Sequence, residues 1–356
     1  MTLPINLPVS IISYVILAVI VVIVSTKLAD YVDLIDKKTN ISGAFIGGVV
    51  LAAVTSLPEL FTSISAVVIV RQPDLVIGNI LGSNIFNETV LGVVLLICAK
   101  KFSDATVGKS HLMTTGFTIF IFFLMIISAV LGIDYTLFHI SVFSVIIIIT
   151  YALSIKFMAS DSAENDEETD SPLTIKQITV RFIILAVILV GASILLTLVT
   201  DSLQNNLADA GINLGKTVAG ALFLGIATSL PELTSSLALV RKKNFNATTG
   251  NLLGSGVFNF CILAVADILY SGGSVYGSDK ALGGRVGISN IFSHIKELDS
   301  TGILAVFGTL ATLFVGAALI IHKGASSKKS KPVFIYRLLG FLIIACYLLF
   351  IILSSI

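Results

Sequence analysis

The chain has 356 residues, of which 56% are hydrophobic and 12% charged, and its formal net charge is +1. A soluble domain carries about 25% charged residues, so this composition excludes a soluble globular protein and identifies an integral membrane protein. With near-neutral charge and no basic arm, nothing in the sequence points to a nucleic-acid partner.

Apolar runs long enough to cross a bilayer, about 20 residues each, recur along the chain. They predict ten spans, at 10–34, 41–70, 74–99, 111–132, 135–158, 175–203, 214–240, 245–270, 299–322 and 333–355. Residues 11–26 have no basic region before them and no small-residue cleavage site after them. They read as a span, not a removed signal peptide. The even number puts both termini on one side. Lys37, Lys38, Lys100, Lys101, Lys109, Lys156, Lys176, Arg181, Arg241, Lys242, Lys243, Lys323, Lys328, Lys329, Lys331 and Arg337 fall in one set of loops, whereas the opposite set holds Arg71, Lys216, Lys280, Arg285 and Lys296. The positive-inside rule places the first set in the cytoplasm and both termini outside.

Between the fifth and sixth spans lies SDSAENDEETDSP, residues 160–172. It reads as a solvated cytoplasmic linker without the ligand spacing of a calcium loop. It divides the chain into a first repeat at 1–159, a linker at 160–173 and a second repeat at 174–356. A Gly-rich external loop follows the eighth span, with a short surface helix expected over 290–298. Cys98, Cys261 and Cys346 sit singly in apolar stretches and read as small buried hydrophobes. The four histidines, His111, His139, His294 and His322, stand near span ends.

The halves echo each other. Residues 54–60 read VTSLPEL and 227–233 read ATSLPEL; residues 78–87 read GNILGSNIFN and 250–259 read GNLLGSGVFN. Glu232 follows Glu59 by 173 residues, and Asn259 follows Asn87 by 172. Two motifs repeated in order at nearly one offset mark an internal duplication. Because each half holds five spans, the second enters the membrane from the opposite face. The expected fold is therefore an all-α membrane protein of about ten transmembrane helices in two inverted five-helix repeats, an architecture typical of secondary transporters.

The motifs carry chemistry. Pro58 and Pro231 lack an N–H, so the carbonyls of Val54 and Ala227 lose their helical partners. A freed carbonyl at membrane depth is costly unless something satisfies it, and a bound cation would. Glu59 and Glu232 follow at once, and an intramembrane carboxylate marks an ion path or proton relay by default. Thr55, Ser56, Thr228 and Ser229, one turn earlier, add oxygens of the kind that hard cations need. In the second motif Gly78, Gly82, Gly250 and Gly254 form small faces for close helix approach. Ser83 and Asn87 share one helix face, as do Ser255 and Asn259. Two further acids, Glu88 and Asp267, read either as transport residues or as structural hydrogen-bond partners. There is no HExxH or GxGD motif of an intramembrane enzyme and no phosphate loop of an ATP-driven pump. The inverted duplication argues against a channel.

These paired motifs resemble the Ca2+/cation antiporter superfamily, most closely the prokaryotic sodium/calcium exchangers, along the whole chain. The resemblance implies a secondary active antiporter, not an enzyme, that exchanges Ca2+ for Na+ by alternating access in a prokaryotic cell membrane, without a cofactor. It implies that Glu59 and Glu232 are the Ca2+ carboxylates and that Thr55 and Thr228 lend backbone or hydroxyl oxygens. Ser56, Ser229, Ser83 and Ser255 would form flanking Na+ sites, and Asn87 and Asn259 would complete the centre. The first and sixth spans would slide over the rest. The chain departs from the pattern in two places. Well-known sodium-coupled members carry Asp at one of the positions held here by Asn87 and Asn259. The motif serine is followed by Asn in many members, whereas here Gly256 follows Ser255. Two carboxylates balance one Ca2+ or two monovalent ions, so Ca2+/H+ antiport on the same glutamates stands as the alternative.

Overall fold

The computed structural model describes residues 5–38, 52–105, 107, 108, 110–131, 134–158, 173–212, 214–241, 243–276, 300–324 and 332–354. Residues 41–51 of the second predicted span, the acidic stretch 160–172 and the helix expected over 290–298 lie outside them. Eight helices are long and apolar enough to cross a membrane, and the shorter apolar helices Leu57–Val70 and Val142–Lys156 stand at the second and fifth predicted spans. Each of the ten predicted spans thus has a helical counterpart.

The first half begins with α1 (Leu7–Lys38), a long helix. Then α2 (Ala52–Thr55) and α3 (Leu57–Ser65) flank a break at Ser56, and α3 runs on as a π-helical turn over Ala66–Val70. Arg71 ends it in the left-handed conformation, φ 59°. Pro73, whose missing N–H costs nothing at a helix start, opens α4 (Pro73–Ile97). A short α5 (Ala99–Asp104) precedes α6 (Ser110–Leu131) and α7 (Val142–Met158).

The second half opens with α8 (Ile175–Asp209), started by a capping box in which Thr174 and Gln177 satisfy each other's backbone N–H groups. Then α9 (Lys216–Ala219), a π-helical stretch over Gly220–Gly225 and α10 (Ile226–Arg241) form one continuous rod. The half ends with α11 (Phe245–Leu269), α12 (Ser300–Gly324) and α13 (Val333–Ser354).

One element departs from the all-helical expectation. The fifth span was expected from residue 135, but Thr136–Leu137 (β1) and Ile140–Ser141 (β2) pair antiparallel, and helix starts only at Val142. Phe138 and His139 form the two-residue turn with φ of 57° and 91°, the positive values that tight hairpins require. Asp267 holds the hairpin in place. Its carboxylate accepts from the Ser141 N–H at 2.8 Å, the Ser144 hydroxyl at 2.7 Å and the Val275 N–H at 2.8 Å. Both oxygens are satisfied, so Asp267 takes the structural of its two readings.

Helices α4 and α11 are the centre of the bundle. α4 packs against α11, α12, α13 and the Gly220–Gly225 stretch. At the periphery α1 lies along α8, turning Ile12, Val15, Ile16, Ile183, Ile184 and Val187 outward, as a lipid-facing pair does.

Glycine sets the closeness at the centre. A Cβ on Gly78 would collide with the Thr217 carbonyl oxygen, and one on Gly82 would sit 2.5 Å from Ala221 Cα. The first small-residue face therefore brings backbone onto backbone, as expected of such faces in membranes. In the second motif Gly250 faces the His111 side chain instead, at 3.1 Å from a built Cβ.

Candidate functional site

The repeated motifs converge. α3 carries Glu59, α10 carries Glu232, and α4 and α11 lie between and beside them. Both carboxylates are fully buried within the protein, each within electrostatic reach of the other. Burying carboxylates in a membrane protein is expensive, so what surrounds them is informative.

The two motifs exchange hydrogen bonds. Ser56 donates to Glu232 Oε1 at 2.9 Å, and Ser229 donates to Glu59 Oε1 at 3.1 Å. Each glutamate is thus held by the serine of the opposite half. Ser83 Oγ lies 3.2 Å from the Gly225 carbonyl and 3.5 Å from Glu59 Oε1. Thr55 Oγ1 lies 3.5 Å from Ser255 Oγ, and both hydroxyls face Glu232. Thr228 Oγ1 donates to the Leu224 carbonyl at 2.8 Å and stands 3.3 Å from Asn79 Oδ1. Asn259 Nδ2 donates to Asn84 Oδ1 at 3.0 Å.

Several buried atoms remain without a hydrogen-bond partner among the described residues: Glu59 Oε2, Glu232 Oε2, both amide atoms of Asn87, and Asn259 Oδ1. Buried polar atoms are nearly always paired, and these five belong to residues that the paired motifs single out. The donors are two carboxylates, hydroxyls and carboxamides, an oxygen-only set suited to hard cations.

Two asparagines that the motif reading passed over brace the glutamates. Asn79 Nδ2 lies 3.0 Å from Thr62 Oγ1, 3.0 Å from Ser63 Oγ and 3.4 Å from the Glu59 carbonyl. Asn251 Nδ2 lies 3.0 Å from Ser235 Oγ and 3.1 Å from Ser236 Oγ. Each stands second in its GN-x-x-GS motif, and its hydroxyl partners stand three and four residues after the glutamate. The duplication therefore extends to them, and that was the signal that could have found them.

The prolines act differently in the two halves. Before Pro58 the helix breaks at Ser56, whose ψ is 11°. Pro231 sits inside an unbroken α10, with the widened π-helical turns placed before it.

Glu88, next to Asn87, turns toward α12. Thr312 on α12 donates to its Oε1, and its Oε2 has no hydrogen-bond partner among the described residues. The three described histidines tie span ends. His111 Nε2 is 2.8 Å from Asn246 Oδ1, His322 Nε2 is 3.0 Å from the Ala105 carbonyl, and His139 Nε2 is 3.2 Å from the Ile268 carbonyl. Cys98, Cys261 and Cys346 are free thiols.

Comparison with known proteins gives a consistent result. A family model described as sodium/calcium exchanger protein matches residues 9–159 and 179–356. An uncharacterized membrane protein of Methanocaldococcus jannaschii is 29% identical over 282 residues, covering 79% of this chain and 81% of its own. The solved sodium-calcium exchanger NCX_Mj superposes with a TM-score of 0.57 at 21% identity, over 97% of this chain and 98% of its own. The H+/Ca2+ exchanger CAX superposes with a TM-score of 0.62 at 14% identity, over 97% of this chain and 88% of its own. At these identities the two structures speak to the fold: the chain has the all-helical architecture of membrane exchangers.

Proposed function

The chain belongs to the sodium/calcium exchanger protein family, and from that premise we propose that it is a secondary active antiporter that moves Ca2+ against Na+ by alternating access. The observation that carries this reading is the reciprocal exchange at the centre. Each glutamate is oriented by a serine from the opposite half and keeps one buried oxygen without a hydrogen-bond partner among the described residues. Two carboxylates so held neutralise one Ca2+, and the surrounding hydroxyl and carboxamide oxygens complete the high coordination number Ca2+ takes. Glu59 and Glu232 are the Ca2+ carboxylates in this reading. Thr55, Thr228, Ser56, Ser229, Ser83 and Ser255 supply hydroxyl or backbone oxygens that Na+ shares, and Asn87 and Asn259 complete the centre.

The exchanger works as two five-span repeats with residues 160–173 as a cytoplasmic linker and both termini external. The gap between the two matched segments, 160–178, supports that division. Alternation of access falls to α1 and α8, the lipid-facing pair, of which α1 packs on α10, the helix of Glu232, and α8 packs on α3, the helix of Glu59.

A second reading, Ca2+/H+ antiport, is favoured by one observation: both positions flanking the centre hold carboxamides, Asn87 and Asn259, so no third carboxylate is present to accompany several sodium ions. One experiment tests both. Proteoliposomes loaded with Ca2+ are given a Na+ gradient or a pH gradient at clamped voltage. Efflux driven by Na+ supports the first reading; efflux indifferent to Na+ and driven by protons rejects it for the second.

A further inference from the structure

Asn84 follows Ser83 on α4 and is 1% exposed. The matching place in the second motif is Gly256, so only one half supplies a carboxamide here. Asn84 Oδ1 accepts the Asn259 Nδ2–H at 3.0 Å. A Cβ on Gly256 would already lie 3.7 Å from that same Oδ1. Gly256 therefore keeps α11 free of a side chain where that helix faces the Asn84 amide.

That hydrogen bond has a direction. A carboxamide donates from one end and accepts at the other. With its Nδ2 committed to Asn84, Asn259 turns Oδ1 the other way, where it is buried without a partner among the described residues. Flipping Asn259 alone would set two carbonyl oxygens against each other. Flipping both amides would keep one hydrogen bond but turn the Asn259 NH2 to where Oδ1 now points, an arrangement that repels a cation.

We propose that Asn84 is a positioning residue that sets ion specificity: it holds the Asn259 carboxamide so that Oδ1 is the atom offered to the transported cation. A neutral oxygen then stands where a carboxylate would add charge. This rests on the exchanger reading above and deepens it.

The test is a double-mutant cycle on the full-length protein in proteoliposomes, read as the half-saturating Ca2+ concentration. Asn84→Ala frees the amide and raises that concentration about 3- to 10-fold, the worth of one hydrogen bond. Asn84→Asp keeps an acceptor in place and stays within about twofold of wild type or binds more tightly. In an Asn259→Asp background an oxygen faces both ways, so adding Asn84→Ala changes the value less than about twofold. If Asn84→Ala does not fold, Asn84→Leu, which fills volume without an acceptor, takes its place. Equal losses in both backgrounds, no loss in the wild-type background, or a loss with Asn84→Asp as large as with Asn84→Ala each overturn the assignment. Failure of the exchanger reading looks different: wild type without Ca2+ flux, or Glu59→Gln with unaltered flux.

Discussion

Ser56 and Glu232 stand 176 positions apart in the chain, yet the serine hydroxyl donates to the glutamate carboxylate at 2.9 Å. Ser229 and Glu59 repeat the contact from the other side at 3.1 Å. Neither half completes its own carboxylate, so the centre exists only where the two motifs cross.

The carboxylates carry the ion in this reading. Glu59→Gln and Glu232→Gln keep shape and hydrogen bonding but remove the charge that a divalent ion needs. Each is expected to abolish Ca2+ flux while protein yield and thermal unfolding stay close to wild type. Normal flux in either variant would refute the assignment.

The crossed serines predict matched losses. Each donates to a charged acceptor, an interaction worth about 1.5–3 kcal/mol. Ser56→Ala and Ser229→Ala should therefore each weaken Ca2+ half-saturation about 10-fold or more. A large loss from one and none from the other, in side-by-side titrations, would contradict the reciprocal arrangement.

Charge at residue 259 should retune the ions. Asn259→Asp adds a third carboxylate beside Glu59 and Glu232. Na+ should then inhibit Ca2+ uptake at concentrations lower by about tenfold, since a close charge outweighs a carbonyl dipole. The inhibition curve measures it, and an unchanged curve would place residue 259 outside the ion path.

Asp267 makes the opposite kind of prediction. Its three hydrogen bonds pin the β1–β2 hairpin and the segment after α11. Asp267→Asn replaces an acceptor with a donor and should cost about 1–3 kcal/mol of stability, seen as a lower Tm in detergent. The Ca2+-to-Na+ preference of the folded fraction should not move; a changed preference would make Asp267 more than structural.

The glycine contact is testable by overpacking. Gly82→Val places methyl groups where Ala221 Cα already stands. A loss of about 1–3 kcal/mol or more is expected, with reduced yield of folded protein. Wild-type stability would show that α4 and the Gly220–Gly225 stretch are looser than the contact implies.

Much of this centre is legible in the amino acids because it was written twice. Glu59 and Glu232 and the TS hydroxyls recur at an offset of 173 and the GS serines at 172, and an odd span count per half is enough to turn them toward each other. What resists reading is what the halves do differently. The same TSLPEL gives a broken helix at Ser56 and an unbroken one through Pro231, and a π-helical stretch follows the first motif but precedes the second. The Asn84–Asn259 bond escapes a repeat comparison for the same reason: its partner position is a glycine. The hairpin at 136–141 escapes because Phe138 and His139 are not residues that announce a positive φ; the ties from Asp267 and its neighbours impose it.

The backbone contact of Gly78 and Gly82 with Thr217 and Ala221 has one more implication. It welds the two halves where α4 meets the stretch that leads into α10, the helix of Glu232. Whatever rocks or glides during turnover must do so around that weld.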